Sequence, residues 1–196
     1  MVKMIKREKL INNGINGKVF EYLYFWNEKK PSYGDFCKEI GISKKDLKKC
    51  KECINEKNAK EIKEIKRIRG SYNNKNNNKK KKDKFKFCDF TEFYDWYVIQ
   101  YNKQDGKCYY CDSDEKEIEF LFSKKYFISK RCKRGFHLEV ERKDTIDNEY
   151  TKDNCVLACY FCNNDKSDIL NEKDYFEYLE NRKGFIHSKY ISKKNK

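Results

Sequence analysis

The stretch NCVLACYFCNNDKSDIL, residues 154–170, decides the fold of the C-terminal half of the chain. Its first six residues, NCVLAC, are mostly apolar and predict a strand. The segment CYFC, which begins at the last of these residues, is expected to form a tight turn that leads into a helix. Upstream, HLEVE at residues 137–141 alternates apolar and polar residues, which predicts the partner strand. Strand, loop, strand and helix, with helices before and after them, indicate a mostly helical α+β fold.

Two pairs of cysteines with the spacing Cys-x2-Cys flank the strand at residues 137–141. The first pair is Cys108 and Cys111 in CYYC, and the second is Cys159 and Cys162 in CYFC. Two such turns can place four thiolates around one tetrahedral zinc ion. The sequence shows no secretion signal and no apolar stretch that could span a membrane. We therefore expect a cytoplasmic protein with a structural zinc ion rather than a secreted disulfide scaffold, and no membrane partner.

A second set of cysteines offers another metal site. Cys50-x2-Cys53 could act with Cys37 and Cys88. Cys50 also fits the apolar stripe of a predicted helix, so the preferred interpretation of this set is buried thiols.

Positive charge is concentrated in the first 86 residues. These hold 26 Lys and Arg against 11 Asp and Glu, a net +15, whereas residues 87–196 hold 20 against 21, a net −1. Such a basic half favours binding to the phosphates of DNA or RNA. The alternative is a solvated lysine surface that reflects AT-rich coding.

Residues 1–69 are predicted to form a helical, DNA-binding region. Within it, SYGDFCKEIGISKKDLKKC at residues 32–50 predicts a helix, a turn at Gly41 and a second helix capped by Ser43, the outline of a helix-turn-helix. The second helix would present four lysines to a DNA groove. These are Lys44, Lys45, Lys48 and Lys49.

Composition divides the rest of the chain. Residues 70–86, rich in Lys and Asn, are predicted as a low-complexity linker or basic arm without structure. Residues 87–183 form the predicted cysteine-containing domain, and FTEFYDWYVIQY at residues 90–101 predicts an amphipathic helix whose aromatic stripe belongs to the core. Residues 184–196 are predicted as a basic tail.

Over residues 88–170 these motifs resemble the HNH (ββα-metal, His-Me finger) endonuclease family. The order F-x2-F-x2-W-Y, C-x-Y-C, RG-aromatic-H, acid-Arg-x-Asp, tyrosine and LAC-aromatic-x-CN-x2-KS is similar to that of the Pac-type rare-cutting restriction endonucleases. In this chain the order runs from Phe90 to Ser167 and includes Tyr150. The resemblance implies a zinc-stapled ββα-metal nuclease module, a catalytic Mg²⁺ or Mn²⁺, and DNA as the substrate.

The resemblance also implies roles for individual residues. Glu141 at the strand end and Asn163 on the helix would bind the catalytic metal, and Asn154 would order the loop between the strands. Arg142 stands where the family usually has histidine. Arginine cannot act as a general base near neutral pH because its pKa is above ~12, so we expect it to hold the scissile phosphate or stabilise its developing charge.

The group that activates water stays open at this point. His137 and Tyr110 are candidates, as are a carboxylate and a metal-bound hydroxide. The alternatives are a structural, hydrogen-bonded His137 and a Tyr110 that packs beside the zinc site. Basic residues near the predicted site are expected to contact DNA, although Lys166 could equally be an exposed helix lysine. They are Lys130, Arg131, Lys133, Arg134 and Lys166.

The sequence therefore predicts an HNH-type DNA endonuclease that hydrolyses phosphodiester bonds, of the type II restriction class. A phage or homing nuclease, an RNA-directed nuclease, and a non-catalytic zinc-stabilised DNA-binding protein are the alternatives. One active site cuts one strand, so a double-strand cutter would need a homodimer or two visits to the DNA. A companion methyltransferase would support the restriction role.

Overall fold

A computed structural model describes most of the chain. The described residues are 4, 6–11, 14–26, 30–77, 84–128, 135–180 and 184–194. In them the chain forms ten α-helices and one two-stranded antiparallel sheet, which confirms the predicted α+β, mostly helical class. Within the same ranges no helix is both long enough and apolar enough to cross a membrane.

The chain divides into two compact units that do not follow the predicted boundary. The helical unit contains the described residues from 4 to 77 and from 87 to 99, and the cysteine unit contains those from 84 to 86 and from 100 to 194. The segment after residue 86 was predicted to begin the cysteine-containing domain. Its first thirteen residues instead belong to the helical unit.

Aromatic side chains build the core of the helical unit. Its helices are α1 (Arg7–Leu10), α2 (Gly14–Tyr24), α3 (Tyr33–Ile40), α4 (Lys44–Lys57), α5 (Ala59–Asn76) and most of α6 (Phe90–Lys103). Tyr22 of α2 stacks on Phe36 of α3 with ring centroids 3.9 Å apart, and Phe25 lies 5.9 Å from Phe90 of α6. The predicted amphipathic helix is therefore confirmed, and its aromatic stripe is buried.

Residues 71–76 differ from the prediction of an unstructured linker, because they continue helix α5. Tyr72 gives the physical reason: its ring packs 5.7 Å from Phe90 and 5.6 Å from Phe93. These two contacts of a half-buried ring favour the continuation of a helix whose other residues here are polar. Residues 78–83 of the predicted linker lie outside the described residues. Its last residues also differ from the prediction, because the Tyr150 N–H donates to Lys84 O over 2.7 Å and the Lys86 N–H donates to Tyr150 O over 3.1 Å.

The cysteine unit contains the small sheet and the helices around it. Its elements are α7 (Glu115–Ser123), β1 (Glu139–Arg142), β2 (Cys155–Ala158), α8 (Tyr160–Lys166), α9 (Glu172–Leu179) and α10 (Phe185–Lys194). The two strands pair antiparallel, with Glu141 opposite Val156 and Arg142 opposite Cys155. Helix α8 begins two residues after β2, so strand, strand and helix follow in the predicted order.

Residues 185–194, predicted as a basic tail, form helix α10. The side chain of Ile186 is buried, the Tyr190 ring lies 5.3 Å from Phe120 of α7, and His187 Nδ1 lies 2.7 Å from Glu117 Oε1. The prediction weighed the lysines and overlooked this apolar face. Contacts with α7 dock the segment and so favour its helical form.

Candidate active site and metal centre

The four cysteines of the two Cys-x2-Cys pairs lie together in the cysteine unit. The sulfur atoms of Cys108, Cys111, Cys159 and Cys162 are all within 4.8 Å of one another, and Cys111 Sγ is 3.8 Å from Cys159 Sγ. With Zn–S bonds of about 2.3 Å, sulfurs at the corners of a tetrahedron lie about 3.8 Å apart. The predicted grouping of these cysteines is therefore confirmed, and its size suits a zinc ion.

Backbone groups orient the sulfurs. The Cys159 N–H donates to Cys108 Sγ over 3.2 Å, and the Cys162 N–H donates to Cys159 Sγ over 3.4 Å. The Tyr109 N–H donates to Leu157 O over 2.9 Å, which fastens the first cysteine turn to strand β2. The cluster therefore joins that turn to β2 and to the start of α8.

The chemistry of the four thiols also suits a cation. Hydrogen bonding with Cys108 lowers the pKa of Cys111 but raises the pKa of both Cys159 and Cys162. Because four thiolates within 4.8 Å of one another would repel, they cannot all ionise without a compensating positive charge. A divalent ion bound by all four sulfurs would supply that charge.

The other described cysteines form no second cluster. Among the residues that the structure describes, the four sulfurs above are the only metal-ligating group of cysteines. Cys37 is buried in the core of the helical unit, as the preferred interpretation expected, whereas Cys88 is exposed.

The carboxylates of strand β1 face the polar side of helix α8. Glu139 and Glu141 are two residues apart and so lie on the same side of the strand. The Asn163 side chain donates a hydrogen bond from Nδ2 to Glu139 Oε2, and Lys166 Nζ lies 3.6 Å from Glu141 Oε1. Asn163 therefore contacts a carboxylate of β1, that of Glu139. The binding of one metal ion by Glu141 and Asn163 stays a prediction.

Lys166 was predicted either to contact DNA or to be an exposed helix lysine. The structure contradicts the exposed alternative, and a contact with DNA stays an untested prediction that the burial does not favour. The Lys166 side chain is 0% exposed, and Glu141 is 4% exposed. Burial lowers the pKa of Lys166, while the charge of Glu141 raises it. No local pattern indicates this burial, because lysine is rarely fully buried unless it is paired.

Arg142 is also largely buried, and its guanidinium is held from three sides. It forms an ion pair with Asp168, donates to Asn148 O over 3.5 Å, and lies over the Tyr150 ring at 4.9 Å. Burial raises the pKa of Tyr150 to about 12, although Arg142 acts in the opposite direction. This fixed, positively charged group stands at the end of β1, next to Glu141.

The Asn154 side chain fastens the loop between the strands. It accepts from the Asp144 N–H over 2.8 Å and donates to Asp144 O and Glu149 O over 3.2 and 2.9 Å. Asp144 in turn accepts from the Ile146 N–H over 2.8 Å. Both side chains are thus occupied in shaping the loop.

His137 lies just before β1 and interacts with helix α7. Its Nδ1 lies 3.5 Å from Glu115 Oε1, which also accepts from the Leu138 N–H over 2.8 Å. The other Glu115 oxygen accepts from the Tyr101 hydroxyl over 2.9 Å. These contacts favour the structural interpretation of His137 over a role in activating water.

Tyr110 packs among aromatic rings. It is 1% exposed, and its ring lies 5.0 Å from Tyr175 and 5.4 Å from Phe176. Burial and then the nearby charge of Glu141 raise the pKa of Tyr110, so loss of its proton is disfavoured. The packing alternative therefore fits Tyr110 better than a role as a base.

The predicted DNA-contacting residues are only partly described. Helix α4 begins after Ser43, whose side chain accepts from the Asp46 N–H over 3.1 Å, and Gly41 ends α3 with a φ of 71°. The four predicted lysines of α4 are exposed, while Leu47 of the same helix is buried. The use of this helix pair as a helix-turn-helix stays a prediction. Lys130, Arg131, Lys133 and Arg134 lie outside the described residues.

Sequence reasoning gave no role to several residues that shape the site. Gln104 pairs with both backbone groups of Leu157, at 2.7 and 2.9 Å, and so covers the free edge of β2. Three acidic residues hold the predicted site residues: Glu139 contacts Asn163, Glu115 contacts His137, and Asp168 contacts Arg142. Only Glu139 had a sequence signal, since it alternates with Glu141 along the strand.

Comparison with known proteins gives one similarity. No family model matches the chain, and no curated protein matches it. Among solved structures, the chain is similar to an HNH restriction endonuclease. That structure is of PacI, a rare-cutting HNH restriction endonuclease described as perturbing DNA. The two chains are 24% identical, and the match covers 61% of this chain and 78% of that one. The TM-score is 0.48. At this level of similarity, the function of this chain has to be argued from its own residues.

Proposed function

We propose that this protein is an HNH-type DNA endonuclease that hydrolyses phosphodiester bonds with a divalent metal. The observation that carries the proposal is the contact between Asn163 of α8 and Glu139 of β1. The four-cysteine cluster fastens the start of α8 to the end of β2, the strand that pairs with β1. A strand pair and a helix so fastened bring two carboxylates and one amide together. Oxygen ligands of these kinds are those that Mg²⁺ and Mn²⁺ prefer.

The proposed metal ligands are Glu139, Glu141 and Asn163. The sequence suggested Glu141 and Asn163, and the hydrogen bond between Glu139 and Asn163 adds the third. A divalent ion bound there would lower the pKa of its water and neutralise charge on the phosphate. The four-cysteine cluster would hold a structural zinc ion at a distance from this chemistry.

Arg142 is proposed to hold the scissile phosphate or to stabilise the charge that develops on it. Its guanidinium is fixed by Asp168 and by the Tyr150 ring, so little side-chain entropy is lost when it binds an anion. Arginine is a poor base near neutral pH, Tyr110 packs among aromatic rings, and His137 lies against the Glu115 carboxylate. These facts favour water activated by a divalent ion, which Glu139, Glu141 and Asn163 would hold, over activation by a side-chain base.

DNA binding is assigned to the basic residues of the first 86 positions, most of which lie in the helical unit. The first 86 residues carry a net +15, from 26 basic and 11 acidic residues. The exposed lysines of α4 lie on one helix and suit a row of phosphates. We infer that this surface provides affinity for DNA, while the cysteine unit provides the chemistry.

A plasmid-nicking assay tests the proposal. Zinc-loaded protein should convert supercoiled plasmid to nicked or linear DNA with Mg²⁺ or Mn²⁺ and not with EDTA. Glu141→Gln, Glu139→Gln and Asn163→Ala should each reduce the rate at least about 100-fold, because each removes a metal ligand. Glu119→Gln, at an exposed position of α7, is the matched control and should cleave normally.

One observation favours a second candidate, a zinc-stabilised DNA-binding protein without catalysis. The Glu141 carboxylate already has the Lys166 ammonium as a neighbour, and arginine stands at the usual position of the base. This candidate predicts that folded protein binds DNA but never nicks it. The same three variants would then leave DNA binding unchanged and have no activity to lose.

Among nucleases, we propose a site-specific restriction role. Discrete fragments with uniform ends after digestion would support it, whereas a smear would indicate a non-specific nuclease. Structured RNA in place of plasmid would test an RNA-directed nuclease. A homodimer on the DNA would explain cutting of both strands. A companion methyltransferase that protects the DNA sequence this protein cuts would distinguish a restriction role from a phage or homing role.

A further inference from the structure

A buried lysine lies beside the proposed catalytic metal site. Lys166 Nζ is 3.6 Å from Glu141 Oε1, just beyond hydrogen-bonding distance, and the side chain is 0% exposed. No hydrogen-bond partner of this nitrogen is found among the described residues. An ammonium ion in such a place is strongly disfavoured unless an opposite charge lies close to it.

The sequence position of Lys166 fixes where its charge lies. Asn163 and Lys166 are three residues apart on α8, so their side chains share one face of the helix. Asn163 contacts Glu139, and Lys166 contacts Glu141. Asn163 and Lys166 therefore each face one carboxylate of β1.

This pairing changes the charge that a metal ion would meet. Glu139 and Glu141 carry two negative charges, and Lys166 cancels one, so the group has a net charge of −1. The affinity of an oxygen-ligand site for a divalent cation depends on the number of charged ligands. A lysine at 3.6 Å also occupies the side of Glu141 that faces α8.

We propose that Lys166 is a positioning residue that holds the Glu141 carboxylate toward helix α8 and competes with the divalent metal for it, which keeps metal affinity low in the absence of DNA. The inference rests on the proposed metal site of Glu139, Glu141 and Asn163. Removal of the lysine charge frees Glu141 to bind the metal. Arginine at the same position keeps the competition.

Mn²⁺ binding to the zinc-loaded full chain, followed by electron paramagnetic resonance without DNA, tests this role. Lys166→Met should bind Mn²⁺ about tenfold more tightly than the unmodified protein, since one competing charge is gone. Lys166→Arg should bind as the unmodified protein does. The double variant Glu141→Gln with Lys166→Met should not show the increase in Mn²⁺ affinity. Lys116→Met, at an exposed position of α7, is the control and should leave Mn²⁺ affinity unchanged.

Equal or weaker Mn²⁺ binding by folded Lys166→Met would overturn the inference. Urea unfolding provides an independent measurement if that variant is unstable without metal. The double variant should have a higher unfolding midpoint than either single variant, because each single change leaves a buried charge alone. A double variant no more stable than the singles would show that the two side chains are not coupled.

The two proposals can fail separately. If the unmodified protein nicks DNA but Lys166→Met gains no Mn²⁺ affinity, the nuclease stands and the role of Lys166 falls. If Lys166→Met gains Mn²⁺ affinity but neither the unmodified protein nor any variant nicks DNA, the role of Lys166 stands and the nuclease proposal fails.

Discussion

The side chain of Asn163 donates a hydrogen bond to the Glu139 carboxylate and so links helix α8 to strand β1. Four cysteines join the same helix to strand β2 and to the turn at residues 108–111. The helix is therefore held at both ends of its first turn, by the sulfur cluster and by the amide. Any metal bound by the carboxylates of β1 would depend on both attachments.

The sulfur cluster should be essential for the cysteine unit. Cys162→Ser should bind less zinc and lose ordered tertiary structure, because structural zinc sites contribute folding free energy directly. Zinc content and urea unfolding, followed by near-ultraviolet circular dichroism, provide the measurement. Cys88→Ser, at an exposed cysteine outside the cluster, should retain zinc and stability. Equal stability of the two variants would contradict a structural metal at this cluster.

The amide of Asn163 can be converted to a carboxylate of nearly the same shape. Asn163→Asp would place a negative charge against Glu139, which should lower stability in EDTA and raise affinity for Mn²⁺. Melting temperature with and without Mn²⁺ measures both effects, and the Mn²⁺-dependent increase should exceed that of the unmodified protein. Asn164→Asp is the neighbouring control on the exposed side of α8. A similar Mn²⁺ response in both variants would count against a metal site at Asn163.

The loop between the strands depends on Asn154. Asn154→Ala removes three side-chain hydrogen bonds to residues 144 and 149 and should destabilise the protein by about 1–3 kcal/mol. Hydrogen exchange should then quicken at residues 144–149 more than in β2. Asp153→Ala, at the exposed neighbouring position, should change neither measurement. Unchanged exchange in the loop of Asn154→Ala would show that other contacts order it.

Tyr150 should make the protein sensitive to alkaline pH. Its pKa is raised from 10.0 to about 12 in the folded protein, so its stabilising effect is complete below pH 10 and is lost as the pH rises toward 12. As the pH rises from 10 to 12, the free energy of unfolding should fall less in Tyr150→Phe than in the unmodified protein. The difference between the two slopes should be at most about 1.4 kcal/mol per pH unit. Urea unfolding at pH 9, 10 and 11 gives the comparison. Tyr126→Phe, at an exposed position, should follow the unmodified protein.

The exposed lysines of α4 should set the salt dependence of DNA binding. Replacing Lys44, Lys45, Lys48 and Lys49 by glutamine should weaken binding and reduce the slope of log affinity against log salt by about 0.9 for each lost phosphate contact. Fluorescence anisotropy at several salt concentrations measures the slope. Gln replacements at Lys60, Lys63 and Lys66, exposed on α5, form the control. A slope that changes equally in both variants would indicate diffuse attraction instead of a specific α4 surface.

Local patterns predicted much of the secondary structure. The aromatic periodicity of residues 90–101 predicted α6, and the alternation in HLEVE predicted β1. Prediction failed where composition was polar but a few apolar side chains find partners at a distance. Tyr72 extends α5 into the Lys and Asn segment, and Ile186 and Tyr190 dock α10.

The cysteine spacing by itself predicted two tight turns, each with two sulfurs suited to a shared metal ion, because two residues between cysteines leave little choice of local geometry. That the two turns meet, with Cys111 and Cys159 48 positions apart, is a property of the tertiary structure. The order of strand, loop, strand and helix followed from residues close in sequence. Only the tertiary structure decided which groups meet: Asn163 with Glu139, Lys166 with Glu141, and His137 with Glu115. Each of these contacts joins residues more than 20 positions apart, and their partners depend on how separate elements pack. The burial of Lys166 was likewise decided by the tertiary structure. A buried ammonium needs an opposite charge close to it, and here Glu141, 25 positions away, supplies that charge.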